Sequence, residues 1–266
     1  MTTTDAIFQS LLTSPLLVGD LPNAARFSRR DLVAPSDSVQ LNFDQKLGHL
    51  YEDALAIVFA SSPNIELLEQ NLQIQENIHS TVGELDFLIR DANGTLTHLE
   101  LATKFYLSVK TENGISFPGP DSRDNYDRKI QRLLSHQLIL TERHKANLPP
   151  AYCDEDVVVK QLIYGCLFDH FSDHISQADL SVPKFSNPNC RRGRWLHHAE
   201  LAEHFRNESQ FHLIPKYLWP VPIKFLEKIP LEEWRPNMFA DRCVMLRIEG
   251  HDCSYFVAPD EYPKQS

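Results

Sequence analysis

The stretch "GELDFLIRDANGTLTHLELATKFYL", residues 83–107, decides how the chain is read. Two runs rich in Leu, Ile, Phe and Tyr flank "DANG", whose Asn-Gly pair can take the positive φ that tight hairpins demand. The pattern predicts strands over 83–90 and 96–107, adjacent and antiparallel. Side chains two apart on a strand share a face. Glu84 and Asp86 therefore point one way, while Glu100, Ala102 and Lys104 share a face of the neighbouring strand. The turn brings Asp86 towards Glu100. Clustered carboxylates repel and are costly to desolvate unless a cation neutralises them. Oxygen donors suit Mg²⁺ or Mn²⁺, and a nearby lysine can stabilise developing negative charge or orient a water. These are the parts of a metal-dependent phosphodiester hydrolase. The same spacing also fits a solvated sheet face with a Glu100–Lys104 surface ion pair, worth about 0–1 kcal/mol.

Upstream, "DAIFQSLLTSP" reads as a short helix before a Pro- and Asp-rich stretch. In "FDQKLGHLYEDALAIVFASSP", Leu47, Leu50, Tyr51, Ala54, Leu55, Val58 and Phe59 recur at helical spacing, with Pro63 marking the end. "ELLEQNLQIQENIHS" alternates as a strand does. Downstream, "FPGPDSRDNYDRKIQRLLSHQLILTERHK" reads as a loop and a long helix carrying Ile130, Leu133, Leu134, Gln137 and Leu138 on one side. "DVVVKQLIYGCLF" is a buried strand, and "CVMLRIEGHDCSYFVAP" a terminal hairpin. Trp195, Trp219 and Trp234 are expected as core anchors of the C-terminal part, and the tail "DEYPKQS" as frayed.

A 42% hydrophobic, 23% charged chain of 266 residues can bury a normal core without staples. Five cysteines without CxxC spacing suit reduced thiols. With no basic start typical of a secretory signal and no apolar run of about 20 residues, the chain is expected to be cytoplasmic, with no membrane partner. A net charge of −10 argues against wrapping nucleic acid non-specifically and leaves room for a local basic cleft.

The helix, three strands, helix, strand order over residues 45–170, together with "GELDFLIRDANGTLTHLELATK", resembles the PD-(D/E)XK nuclease superfamily. Its bacterial members carry a Gly-Glu-x-Asp strand followed by a Glu-x-Lys strand. "LLTSPLL", "GELDFLI", "HLELATKFYL" and "DRKIQRLLSHQLIL" are more narrowly similar to an uncharacterised bacterial family of unknown function grouped there. The resemblance implies an α/β, three-layer restriction-endonuclease-like core over 45–170, a mixed sheet flanked by helices. An N-terminal helical extension (1–44) and a C-terminal α+β extension (171–266) would pack on it. It also implies Mg²⁺ or Mn²⁺ on Asp86, Glu100 and Glu52, and DNA or RNA as partner. Ala102 stands in the usual lysine slot. Lys104, about 6.6–6.8 Å further along the same face, reads as a migrated lysine that completes the catalytic set. Glu84, Lys129 and Gln137 would contact substrate, the last two from the helix that in this superfamily often lends the site a polar residue.

The expected function is therefore a metal-dependent nuclease. The alternative is a nuclease fold that has lost chemistry and acts as a binding module, which Ala102 and the acidic balance favour. A scaffold without a site is the third reading. Two further groups stand out: His170 and His174, four apart, and "CRRGRW" (190–195), which could contact phosphate and stack on a base or simply pack as a loop.

Overall fold

A computed structural model of the chain describes residues 1–36, 39–77, 80–173, 182–205, 210–235, 238 and 241–263. Helix α1 (Thr3–Thr13) opens on a capping box: Thr2 Oγ1 accepts from the Asp5 N–H, and the Asp5 carboxylate accepts from the Thr2 N–H. Strand β1 (Ala25–Arg26) is a short parallel partner of a later strand. Helix α2 (Leu47–Ser61) buries Leu50, Tyr51, Ala54, Leu55, Val58 and Phe59, the stripe expected from their spacing. Strands β2 (Ile65–Asn77), β3 (Ser80–Asp91) and β4 (Leu96–Leu107) form an antiparallel meander.

In the β3–β4 turn only Gly94 has positive φ (+83°). Asn93 stays at negative φ, because the Asp91 carboxylate sets the loop instead by accepting from the Asn93 and Thr95 N–H groups. A small hairpin, β5 (Val109–Thr111) and β6 (Gly114–Ser116), precedes α3 (Tyr126–Ser135). The expected long helix is broken. His136 leaves helical geometry, Gln137–Ile139 form a 3-10 turn, and α4 covers Leu140–Arg143. The break lets Leu138 pack with Leu133 of α3 while Leu140 seats against Leu85 and Ile74.

Strand β7 (Val157–His170) runs parallel to β4 over twelve residues, from Leu96↔Val157 to Leu107↔Phe168. Beyond it come β8 (Arg191–His197), α5 (Leu201–His204), β9 (Phe211–Ile214), α6 (Ile223–Leu226), β10 (Val244–Ile248) and β11 (Ser254–Ala258). The main sheet runs β2-β3-β4-β7-β8-β11-β10-β9, with β1 beside β7. It is mixed: β4, β7, β8 and β11 are mutually parallel, and both ends are antiparallel. The expected terminal hairpin is β10–β11, and the strands beyond residue 170 continue the sheet of the first half.

Helices α1 and α2 cover one face through Leu99, Leu101, Phe105 and Leu107 of β4, and α3 covers the other through Ala102 and Tyr106. The chain is thus a three-layer α/β structure. Trp195 and Trp219 are buried in the α1–α2 core and Trp234 in a cluster around β10, so all three are core anchors. The tail is not frayed through Pro263: Tyr262 is buried, and its hydroxyl donates to the Gly119 carbonyl. "CRRGRW" is mostly strand β8 rather than a loop, and its arginines have partners within the protein. Arg191 donates to the carbonyls of Trp219, Pro220 and Val221, Arg192 forks onto Asp169, and Arg194 donates to the Asp173 carbonyl.

Candidate active site

The β3–β4 ladder stops at Phe87↔Leu99, one pair short of Asp86 and Glu100. There the Asp86 carboxylate takes over a backbone role, Oδ2 accepting from the Leu101 N–H at 2.7 Å. The strands part at this point, and Asp86 fills the fork. Glu100 lies on the α3 face of β4 and is 1% exposed, which rules out a solvated face carrying a surface ion pair. Its Oε1 accepts from Gln137 Nε2, while Lys129 Nζ stands 3.7 Å away. Lys129 in turn donates to Gln137 Oε1 at 2.9 Å. The helix break at His136 is what turns Gln137 onto Glu100.

Burial is the first cause raising the Asp86 and Glu100 pKa values, and mutual repulsion with Glu52 adds to it. The Leu101 N–H and Lys129 oppose the rise at Asp86, and Lys129 opposes it at Glu100. Lys129 is itself held below the ordinary lysine range, by burial first, against the pull of Glu100. Glu52, on the first turns of α2, contacts His49 at 3.1 Å and lies close enough to both carboxylates to raise them. Glu84 accepts from Gln73 and adds a smaller repulsion at Asp86.

Asp86, Glu100, Glu52, Lys129 and Gln137 therefore gather at one place, with Glu84 on its margin. Lys104 does not join them directly. Its Nζ binds Asp124 Oδ2 at 2.7 Å on the loop before α3, so the cation held against Glu100 is Lys129. Strand parity could not decide between these lysines, because the choice depends on how α3 docks and where it breaks.

Glu100 Oε2 is buried and has no hydrogen-bond partner among the described residues. A buried carboxylate oxygen left unpaired costs about 1–3 kcal/mol or more, which a cation at that point would relieve. The donor set is all oxygen, the choice of a hard divalent ion, so the residues fit Mg²⁺ or Mn²⁺. His98, two residues earlier on the same face, escaped the sequence reading. It is fully buried with both ring nitrogens unpartnered, and burial pushes its pKa down to about 4. It stands neutral and desolvated, two residues along β4 from Glu100.

A cleft of about 870 Å³ is lined by Leu101–Phe105 of β4, Lys46–Gly48 at the start of α2, Asp121 and Asp124 before α3, and Lys216 and Arg242 from the second half. The cleft reaches Gly48, one helical turn from Glu52, whose Oε1 lies 3.6 Å from the point where a Gly48 Cβ would sit; the other carboxylates of the fork do not line it. Among the described residues no helix is long and apolar enough to cross a membrane.

Searches of curated proteins and of solved structures find no match. A family model does match, over residues 25–245, from β1 into β10. The chain belongs to the family described as a domain of unknown function, DUF1853.

Proposed function

We propose that this protein is a metal-dependent nuclease whose site is the fork between β3 and β4. The observation that carries the reading is the buried, unpartnered Glu100 Oε2 beside Asp86, within reach of the buried cation of Lys129. Asp86, Glu100 and Glu52 would hold Mg²⁺ or Mn²⁺, which when bound supplies a Lewis acid and a more acidic bound water. Lys129 would take the part of the sequence-adjacent lysine that Ala102 replaces, placing positive charge where a phosphoryl group gains negative charge. Gln137 fixes both Lys129 and Glu100, so it would position rather than react. Lys46, Lys216 and Arg242 along the cleft would meet the phosphate backbone of DNA or RNA, local positive charge on an acidic protein, while Lys104 stays paired with Asp124.

Single-turnover cleavage with Mn²⁺ on single-stranded, nicked and branched DNA and on RNA tests the reading. Cleavage that disappears in Glu100→Gln and Lys129→Met is the expected result. The complete burial of Glu100 and its engagement by Gln137 also fit a nuclease fold retained for binding. A parent that binds these nucleic acids and cleaves none of them would favour that second reading.

A further inference from the structure

His170 does not sit on a helix, and the His174 once paired with it by spacing lies outside the described residues. His170 is the last residue of β7 and stands beside Trp195 of the parallel strand β8. His197, two residues on, closes β8 on the same face, and Glu200 ends the 3-10 turn that follows. One ligand atom from each lies within 4.8 Å of the others. Glu200 Oε2 is 3.2 Å from His170 Nε2 and 3.2 Å from His197 Nδ1. Two ligand atoms 2.0–2.1 Å from a tetrahedral Zn²⁺ lie about 3.3 Å apart, the spacing that Glu200 Oε2 has to each histidine nitrogen.

The outer contacts orient the rings for it. His197 Nε2 faces the Tyr262 carbonyl at 2.9 Å, and a carbonyl only accepts. The proton of a neutral His197 therefore sits on Nε2, and the Nδ1 lone pair points at the Glu200 carboxylate. The same lone pair meets the Glu200 backbone N–H in the capping box of this turn, and a metal ion between Nδ1 and the carboxylate would replace that contact. His170 Nδ1 has Ser172 Oγ at 2.8 Å, with the Ser172 N–H at 3.4 Å. Nδ1 accepts from that N–H, so a neutral His170 carries its proton on Nε2, towards Glu200 Oε2; a metal ion at Nε2 would take the place of this proton, and the resulting Nδ1–H would donate to the Ser172 hydroxyl. A ligating histidine whose other nitrogen is held by a carbonyl or hydroxyl is the usual outer arrangement of a metal site. Glu200 Oε2 also accepts from the His197 backbone N–H at 2.6 Å, which fixes the carboxylate on the turn.

We propose that His170, His197 and Glu200 form a second metal site, at the carboxyl ends of parallel strands β7 and β8, that takes one Zn²⁺-class ion. Two imidazoles and one carboxylate favour a borderline transition metal over Mg²⁺ or Ca²⁺. Three protein ligands leave a fourth position for water or an exchanging ligand. The site is independent of the carboxylate fork. Glu100 is level with Gln161 of β7, so nine residues, about 30 Å of strand, separate it from His170. His170 also falls in the alternation of Leu162, Tyr164 and Phe168 on the α1–α2 face, opposite the face of Glu100.

The test is a Co²⁺ titration followed by visible absorption, in a protein carrying Asp86→Asn and Glu100→Gln so that the fork contributes nothing. One Co²⁺ per chain with the intense d–d bands of four-coordinate ligation, displaced by Zn²⁺, is expected. In Glu200→Gln, whose amide oxygen can keep the turn capped, affinity should fall by more than the roughly 10–100-fold typical of losing an outer hydrogen-bond partner. His197→Ala should behave likewise, with His170→Gln as its substitute if circular dichroism shows that variant unfolded. Ser172→Ala should fall within the 10–100-fold range. The proposal is overturned if the protein binds no Co²⁺, if Glu200→Gln binds as before, or if thiolate-to-Co²⁺ charge-transfer bands place the ion on cysteines.

Discussion

The fork at β3–β4 and the histidine pair at the ends of β7 and β8 lie on one continuous sheet, yet they create a demand for positive charge in different ways. At the fork the demand comes from burial. Glu100 is 1% exposed, Asp86 is partly buried, and Lys129 supplies one cation for two or three carboxylates. At the strand ends Glu200 and its histidines are about a fifth to a quarter exposed, and the demand comes from two imidazole nitrogens converging on one carboxylate oxygen. The nearby Arg192–Asp169 pair gives the measure of both. There a guanidinium forks onto a buried carboxylate, and nothing is left over.

The largest effects should come from changes that separate the two lysines at the fork. Lys129→Met should lower single-turnover cleavage by roughly 10²–10⁴-fold, the range for a positioned charge-stabilising group. Lys104→Met should leave the rate within a few-fold. The reverse ranking would show that the strand lysine, not the helix lysine, serves the fork.

Next in size is a change to the ladder that carries both regions. A Cβ added at Gly165 would sit 1.7 Å from the Lys104 carbonyl oxygen, so Gly165→Ala must push β7 away from β4. A loss of about 3 kcal/mol in urea unfolding is expected, with metal binding at the fork weakened in the same variant.

A smaller effect separates the fork by pH. Asp86 and Glu100 have folded pKa values above their unfolded ones, so the folded state holds more protons than the unfolded between these limits. Their contribution to stability is fully present below the ordinary carboxylate range and is lost as pH rises through about 7 for Asp86 and about 8 for Glu100. Melting curves should show the Asp86→Asn, Glu100→Gln double variant gaining on the parent across that window, and Mn²⁺ should close the gap. A difference that is flat with pH would break the account of the fork.

The smallest effect is expected at Lys104 itself. Its bond to Asp124 is about a third exposed at both ends, so Lys104→Ala should cost at most about 1 kcal/mol in the same unfolding assay.

Much of the first half was legible because its signals are local. The stripe of α2, the alternation of β2 to β4 and the parity that puts Asp86 next to Glu100 are all set by residues within a few positions of each other. The lysine was not legible, since Lys129 reaches Glu100 only through the docking of α3. Nor was the helix break, as His136 is neither Gly nor Pro and the cause is the packing of Leu138 and Leu140 into separate clusters. The histidine pair was hidden for another reason. Parallel neighbours are joined by long crossovers, so His170 and His197 are adjacent in the sheet and 27 positions apart in the chain. Spacing of four suggested His174, whereas strand adjacency supplied His197.

The strand order β8-β11-β10-β9 has a consequence for biosynthesis. Strand β11 is later in sequence than every other strand, yet it lies between β8 and β10 rather than at the rim. On the ribosome, β2 to β8 can pair as they emerge, but β8 then waits with an open edge until residues 254–258 arrive. An open edge is a template for pairing with another chain. A nascent or truncated product that stops before Ser254 would therefore expose the β8 edge in the middle of its own sheet, and insertion of β11 is the step that closes it.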